Sequence, residues 1–239
     1  MQLKWLSSLM KISEHTTMKD KIKLSLYLSL FVQISTLLFD VYALLQTVAP
    51  SIEVLKTLLK IETVVQLIEL TFYIWYSYHF HSVAESTFYR YYDWMFTTPL
   101  MLFTTTVYYD YQSKSDEEKE KMSVEKFVYD NWKSLSIIGV FNFMMLFYGY
   151  LYERNIIDLA TSTILGFAGF AGSFYVMYDQ FASKSPKNLP LYLFMFIVWS
   201  LYGVAATFTP AWKNISYNIL DIIAKNFYGV FLGYLVLSG

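Results

Sequence analysis

Two charged residues lie one helical turn apart inside a long apolar stretch of the sequence. The stretch runs from Asn214 to Gly239 and contains Asp221 and Lys225. About twenty apolar residues span a bilayer as a helix, and residues at i and i+4 share one helical face. Charges at this depth are costly and are typical of functional sites. Two interpretations are open: a structural ion pair, or a lysine that forms an imine with an aldehyde cofactor while the carboxylate balances its charge.

A second apolar segment, RYYDWMFTTPLML, carries another acidic residue. Arg90, Asp93 and Thr97 lie at i, i+3 and i+7, so they share one helical face. Trp94 and Thr98 form a neighbouring stripe. The segment therefore predicts a second carboxylate inside the membrane, with an arginine one turn away.

A third segment carries acidic and polar residues at membrane depth. Glu62, Gln66, Glu69, Tyr73 and Tyr76 follow one another at helical spacing and form a single polar stripe. Such a stripe is expected to face protein or water rather than lipid. It has two interpretations: an interhelical hydrogen-bond network, or the wall of a water-filled cation path in which carboxylates exclude anions.

The composition is typical of a membrane protein. The chain has 239 residues, of which 56% are hydrophobic and 15% charged, whereas soluble domains average about 45–50% and about 25%. The net charge of -1 gives no indication of nucleic-acid binding. The sequence has no cysteine, which excludes disulfides and thiolate chemistry, and its histidines lack a third ligand at metal-binding spacing.

Seven apolar segments predict an all-α membrane protein, a seven-transmembrane-helix bundle that occupies residues 20–239. Residues 1–19 are predicted to form an N-terminal tail or an interfacial amphipathic helix, not a cleavable signal. The distribution of basic residues slightly favours an N-terminus outside the membrane. The predicted helices cover residues 23–46, 53–80, 87–109, 134–152, 157–181, 189–208 and 214–237.

Together these motifs resemble the microbial (type 1) rhodopsins. The pattern R-x-x-D-W-x-x-T-T-P on the third helix occurs together with D-x-x-x-K on the seventh. The resemblance implies a photoreceptor rather than an enzyme, with all-trans retinal bound to Lys225 as a protonated Schiff base. Asp93 would be the primary counter-ion and Asp221 the second carboxylate. The implied pocket also includes Arg90, Trp94, Thr97, Thr98, Met101, Met145, Gly169, Ser173, Trp199, Tyr202, Gly203 and Ala224.

The first, second and seventh helices resemble those of channelrhodopsins, and the full set resembles the channel-like rhodopsins of giant viruses of algae. This resemblance implies a central gate that joins Ser35, Glu62 and Asn226. Thr98 and Asn142 would form a contact between the third and fourth helices. Gln66 and Glu69 would line the same ion pathway.

A light-gated cation channel is therefore the predicted function. Outward proton pumps of the family usually have a carboxyl at the position of Thr104, and a threonine cannot deliver a proton at neutral pH. A light-driven outward proton pump and a sensory photoreceptor that acts through a partner remain alternatives. The expected partners are membrane lipid and monovalent cations or protons. The expected location is the plasma membrane, with a homo-oligomer left open.

Overall fold

The computed structural model describes the backbone of residues 2–83 and 86–239, and the side chains of residues 17–82 and 86–239. Seven long helices run back and forth through these residues and form one bundle. We name them α1 (Gln2–Leu44), α2 (Glu53–Tyr78), α3 (Arg90–Gln112), α4 (Val124–Glu153), α5 (Leu159–Gln180), α6 (Leu189–Ala205) and α7 (Pro210–Ser238).

The bundle has two ends, which we name after one residue at each. The Pro50 end holds residues 45–52, 113–123 and 181–188, and the Arg90 end holds residues 79–83, 86–89, 154–158 and 206–209. The predicted segment 1–19 falls within α1, but most of its side chains lie outside the described residues. Its placement at a membrane interface therefore stays a prediction.

Five of these helical segments are long and apolar enough to cross a membrane: Thr17–Leu44, Val124–Glu153, Leu159–Lys184, Pro186–Ala205 and Pro210–Ser238. The remaining two helices, α2 and α3, complete the bundle. Both carry many buried polar residues, among them Glu62 and Glu69 in α2 and Arg90 and Asp93 in α3. These residues lower the apolar character of α2 and α3, which is why hydropathy alone does not mark them.

Two helices begin earlier than predicted: α1 begins at Gln2 rather than at residue 23, and α4 begins at Val124 rather than near residue 134. Ser123 caps the helix, since its hydroxyl accepts a hydrogen bond from the Lys126 amide at 3.2 Å. Before it, Ser115 and Glu118 form a capping box on the short helix Asp116–Glu120. The charged connection between α3 and α4 is therefore largely helical.

A wide helical turn interrupts α7 at the position of the central lysine. The helix is regular over Pro210–Asp221 and Phe227–Ser238, and Ile222–Asn226 forms one π turn between them. Such turns are rare and are frequently found at functional sites. The π turn presents Lys225 and Asn226, both buried, to the centre of the bundle.

Candidate functional site

The Lys225 amine lies among three carboxylates from three helices. Its Nζ atom is 2.6 Å from Asp93 Oδ2, 3.6 Å from Asp221 Oδ1 and 3.9 Å from Glu69 Oε1. All four side chains are buried. The Nζ atom stands for the imine nitrogen that a cofactor adduct of this lysine would have. Asp93 makes the closest contact, as expected of a primary counter-ion, and Glu69 adds a third carboxylate that the sequence assigned to an ion path.

Asp221 links the lysine to an arginine and two tyrosines. Tyr73 donates a hydrogen bond to Asp221 Oδ2 at 2.7 Å, and Tyr202 donates to Oδ1 at 2.8 Å. Arg90 approaches Oδ2 at 3.4 Å and donates to the Tyr73 hydroxyl at 3.1 Å. Each Asp221 oxygen is therefore stabilised, and this carboxylate is held in one position between α2, α3, α6 and α7.

Two asparagines of α7 extend this network toward the Arg90 end, and the sequence analysis had not identified them. Arg90 donates to Asn214 Oδ1 at 3.2 Å and to Asn218 Oδ1. Asn218 in turn donates to Ser25 of α1 at 2.9 Å. A signal was present, because Asn214, Asn218, Asp221 and Lys225 follow one another at helical spacing.

An apolar cavity leads from Lys225 between α3, α4, α5 and α6. Its non-atom space, with the open solvent at its mouth included, is about 860 Å³. A buried amine at one end and mostly apolar walls fit a long, apolar aldehyde. Of the predicted pocket residues, those that line it are Trp94, Thr98, Met101, Met145, Trp199, Tyr202, Gly203, Ala224 and Lys225.

Three other predicted pocket residues lie elsewhere. Gly169 and Ser173 pack in the interface of α4 and α5, where Ser173 donates to the Ile138 carbonyl at 3.2 Å. Their small side chains allow the two helices to approach closely. Thr97 donates to the Asp93 carbonyl of its own helix at 3.1 Å.

The contact predicted between the third and fourth helices is present. Asn142 of α4 donates a hydrogen bond to the Thr98 hydroxyl at 2.9 Å, and Thr98 donates to the Trp94 carbonyl at 2.8 Å. Asn142 and Thr98 are both buried. The pair therefore joins α4 to α3 next to one tryptophan of the cavity wall.

The structure does not bring the three predicted gate residues together. Ser35 is exposed on the outside of the bundle and donates to the Phe31 carbonyl of its own helix at 2.9 Å. Glu62 instead accepts a hydrogen bond from Thr104. Successive side chains of a helix are rotated by about 100° around its axis, so neighbouring residues point in different directions. The next residue, Thr36, is therefore the one that is buried against the bundle.

A bridge between α2 and α7 stands close to the predicted gate. Gln66 Nε2 donates to the Lys225 carbonyl at 3.0 Å, and Gln66 Oε1 accepts from Asn226 Nδ2 at 2.6 Å. Gln66 thus holds two adjacent residues of the π turn, Lys225 and Asn226, through one side chain. It lies one turn from Glu62 on α2, so these contacts occupy the centre of the polar stripe.

Asp40 of α1 is a buried carboxyl that the sequence analysis gave no role. It is fully buried, and neither carboxylate oxygen has a hydrogen-bond partner among the described residues. An acidic residue inside the apolar segment LLFDVYA was itself a signal, because intramembrane carboxyls are functional candidates by default.

The family follows from a match along almost the whole chain. The model of the bacteriorhodopsin-like protein family matches residues 20–239. The chain belongs to this family. Membership implies a multi-pass membrane protein with a retinal chromophore, and the family's members are not enzymes. The predicted seven-helix rhodopsin fold is therefore confirmed. Lys225 lines the apolar cavity of this fold.

Solved rhodopsin structures share the fold of this rhodopsin. The viral rhodopsin OLPVRII is 26% identical over 91% of this chain and 98% of that chain, with a TM-score of 0.78. A blue light-absorbing proteorhodopsin from Med12 is 16% identical over 91% and 97% of the two chains, with a TM-score of 0.69. Xanthorhodopsin, a light-driven ion pump with dual chromophore, is 16% identical over 93% and 94%, with a TM-score of 0.68. No curated protein sequence matches the chain.

Proposed function

We propose that this rhodopsin is a light-gated cation channel with all-trans retinal on Lys225. The Gln66 bridge is the observation that carries the proposal, because it ties the cofactor lysine directly to the polar face of α2. Retinal supplies a light-driven change of shape at the Lys225 nitrogen. A shift of the π turn then moves the Lys225 carbonyl and Asn226 away from Gln66.

The pathway would follow the polar faces of α1, α2, α3 and α7. At the Arg90 end, Arg90 and the asparagines of α7 form a hydrogen-bonded closure. At the centre, Gln66 bonds to Asn226 while Glu62 bonds to Thr104. Both contacts must loosen before water can connect the ends. Carboxylates along the route favour cations over anions, so the transported ions would be monovalent cations or protons.

The gate differs from the one that the sequence implied. Glu62 and Asn226 remain in it, but Gln66 and Thr104 replace Ser35 as their partners. All four side chains are buried, whereas Ser35 is exposed. We also propose that the N-terminus lies outside a plasma membrane. The Pro50 end then lies on the inner side.

One observation favours an outward proton pump as the second candidate. Lys225 Nζ lies 2.6 Å from Asp93 Oδ2, so a proton acceptor is in direct contact with the cofactor nitrogen. Against a pump, Thr104 replaces the carboxyl usual in pumps and instead donates to Glu62. The direct Lys225–Asp93 contact serves a channel equally well, since the buried cation needs an adjacent anion in either case.

Photocurrents of Gln66→Leu in voltage-clamped cells supplied with retinal test the proposal. Wild-type current should reverse sign with the cation gradient. Gln66→Leu removes both bridging hydrogen bonds, so it should give a dark leak or a changed reversal potential while the visible band persists. Thr71→Val is the matched control, because exposed Thr71 of α2 bonds only to the Leu67 carbonyl. A wild-type current that stays outward at every voltage would overturn the channel in favour of the pump.

A further inference from the structure

The half of the bundle between Lys225 and the Pro50 end contains two buried carboxyls without a cationic partner. Asp40 of α1 and Glu62 of α2 are both fully buried. Both oxygens of Asp40 and the Oε2 atom of Glu62 lack hydrogen-bond partners among the described residues. Only Glu62 Oε1 is satisfied, by the Thr104 hydroxyl. Three unpartnered carboxyl oxygens in one apolar interior require an explanation.

The Asp40 carboxyl lies beside two glycines of α7 and the polar face of α2. A methyl group built on Gly229 would lie 3.0 Å from Asp40 Oδ2 and 3.1 Å from Gln66 Nε2. One built on Gly233 would lie 3.5 Å from Asp40 Oδ1. Gln66 is one turn from Glu62 on the same face. Asp40 therefore points into the region that α1, α2 and α7 share, not toward lipid.

The two buried cations of the central network pair with other carboxyls. Lys225, which faces Glu62 across the bundle, has its amine against Asp93, Asp221 and Glu69, and Arg90 pairs with Asp221. The Tyr228 hydroxyl of α7 also neighbours Glu62. No lysine or arginine pairs with Asp40 or Glu62 among the side chains that the structure describes. An unpaired carboxylate is very costly in an apolar interior, and two adjacent carboxylates are costlier still.

We propose that Asp40 and Glu62 form a proton-binding site, with Asp40 holding a proton in the dark at neutral pH. The proton neutralises a carboxyl that no basic group stabilises. A metal ion is not indicated, because the described residues hold no group of three or more His, Cys, Asp or Glu side chains that could ligate one. The site goes beyond the proposed channel function, and it would exchange its proton with the Pro50 end when the bundle opens.

Infrared spectroscopy of the retinal-bound protein in the dark tests the site directly. A protonated carboxyl shows a carbonyl-stretch band that a carboxylate lacks, and ¹³C-aspartate labelling identifies the aspartic-acid part of it. The labelled band should be lost in Asp40→Asn. Asp110→Asn should retain it, because Asp110 is the matched control with two cationic partners, Lys114 at 2.8 Å and Lys184 at 3.8 Å. Glu62→Gln should shift the band, since Glu62 lies one helical turn from Gln66, whose amide lies beside Asp40 at Gly229.

Two further measurements keep the test decisive. If Asp40→Asn does not fold, Gly229→Ala places a methyl group 3.0 Å from Asp40 Oδ2 and should shift the same band. The proposal is overturned if labelled wild-type protein shows no aspartic-acid band, or if the band survives unchanged in Asp40→Asn. A wild-type band that disappears on adding sodium or calcium would also overturn it, since a cation would then occupy the site. The infrared band is measured in the dark and needs no photocurrent. The proton-binding site and the channel function can therefore fail independently.

Discussion

At the scale of single residues, the chemistry depends on unequal distances around one amine. Asp93, Asp221 and Glu69 supply three carboxyls, whereas Lys225 and Arg90 supply two cations. Asp221 is satisfied by Tyr73 and Tyr202, but neither oxygen of Glu69 has a hydrogen-bond partner among the described residues. Coulomb attraction falls with distance, so Asp93 at 2.6 Å dominates over Glu69 at 3.9 Å.

This inequality predicts different effects for two isosteric substitutions. Asp93→Asn removes the nearest negative charge, so the visible absorption band should shift strongly or be lost at neutral pH. Glu69→Gln should shift the band much less, because the Glu69 carboxyl lies farther from the Lys225 nitrogen than the Asp93 carboxyl does. In addition, Asp93 and Asp221 are already enough to balance the two cations. Absorption spectra of the two retinal-bound variants provide the comparison. Equal shifts would mean that Glu69 shares the counter-ion role.

At the scale of helices, close approach depends on where small residues lie. The α4 and α5 helices make the most extensive helix pair in the bundle. A Cβ atom built on Gly169 would lie 2.7 Å from both the Met145 nitrogen and the Phe141 oxygen. These are backbone atoms, which cannot turn aside as a side chain can. The α4–α5 spacing therefore requires glycine at position 169.

A matched pair of glycine substitutions tests this packing. Gly169→Ala should destabilise the protein by about 1–3 kcal/mol, as overpacking typically does. Gly139→Ala on α4 is the control, since a Cβ there meets nothing within 4 Å. Gly139→Ala should stabilise the protein by about 0.5–1 kcal/mol, because alanine loses less conformational entropy than glycine when a helix forms. Thermal unfolding, followed by loss of the visible band, measures both, and similar behaviour of the two variants would contradict the packing argument.

At the scale of the whole molecule, the Arg90 end is closed by a buried ion pair between α4 and α7. Lys213 Nζ lies 2.7 Å from Glu153 Oε1, with side chains only 5% and 9% exposed. Thr87 donates to the other Glu153 oxygen, and Lys213 also lies over the Tyr152 ring. One carboxylate thus connects the start of α7, the end of α4 and the segment before α3.

Breaking this connection should cost far more than breaking an exposed pair. Lys213→Ala leaves Glu153 buried without its cation, which should destabilise the protein by about 3–5 kcal/mol. Lys126→Ala breaks the exposed pair with Asp130, whose side chains are 73% and 48% exposed. That control should cost less than about 1 kcal/mol. Thermal unfolding scans compare the stability of the two variants. An equal loss of stability would show that the Lys213–Glu153 pair stabilises the protein no more than the exposed pair does.

The sequence by itself determined the seven helices and the motif that contains Lys225, Asp221, Asp93 and Arg90. Apolar length predicts a span, and helical spacing shows which residues of one helix share a face. Spacing also predicted the polar stripe of α2, whose residues are buried together. The α4 start was missed because charged residues continue a helix as readily as they form a loop.

Only the tertiary structure decided which faces of different helices meet. Spacing gives no rotation of one helix relative to its neighbours, and α1 offers apolar residues on all sides. A step of one residue turns a side chain by about 100°, which is why Ser35 lies outside while Thr36 and Asp40 face the bundle. The same rotation brings Glu69 to Lys225 and Gln66 to the π turn. These contacts depend on how α1, α2 and α7 pack, because a buried polar group needs a partner from another helix.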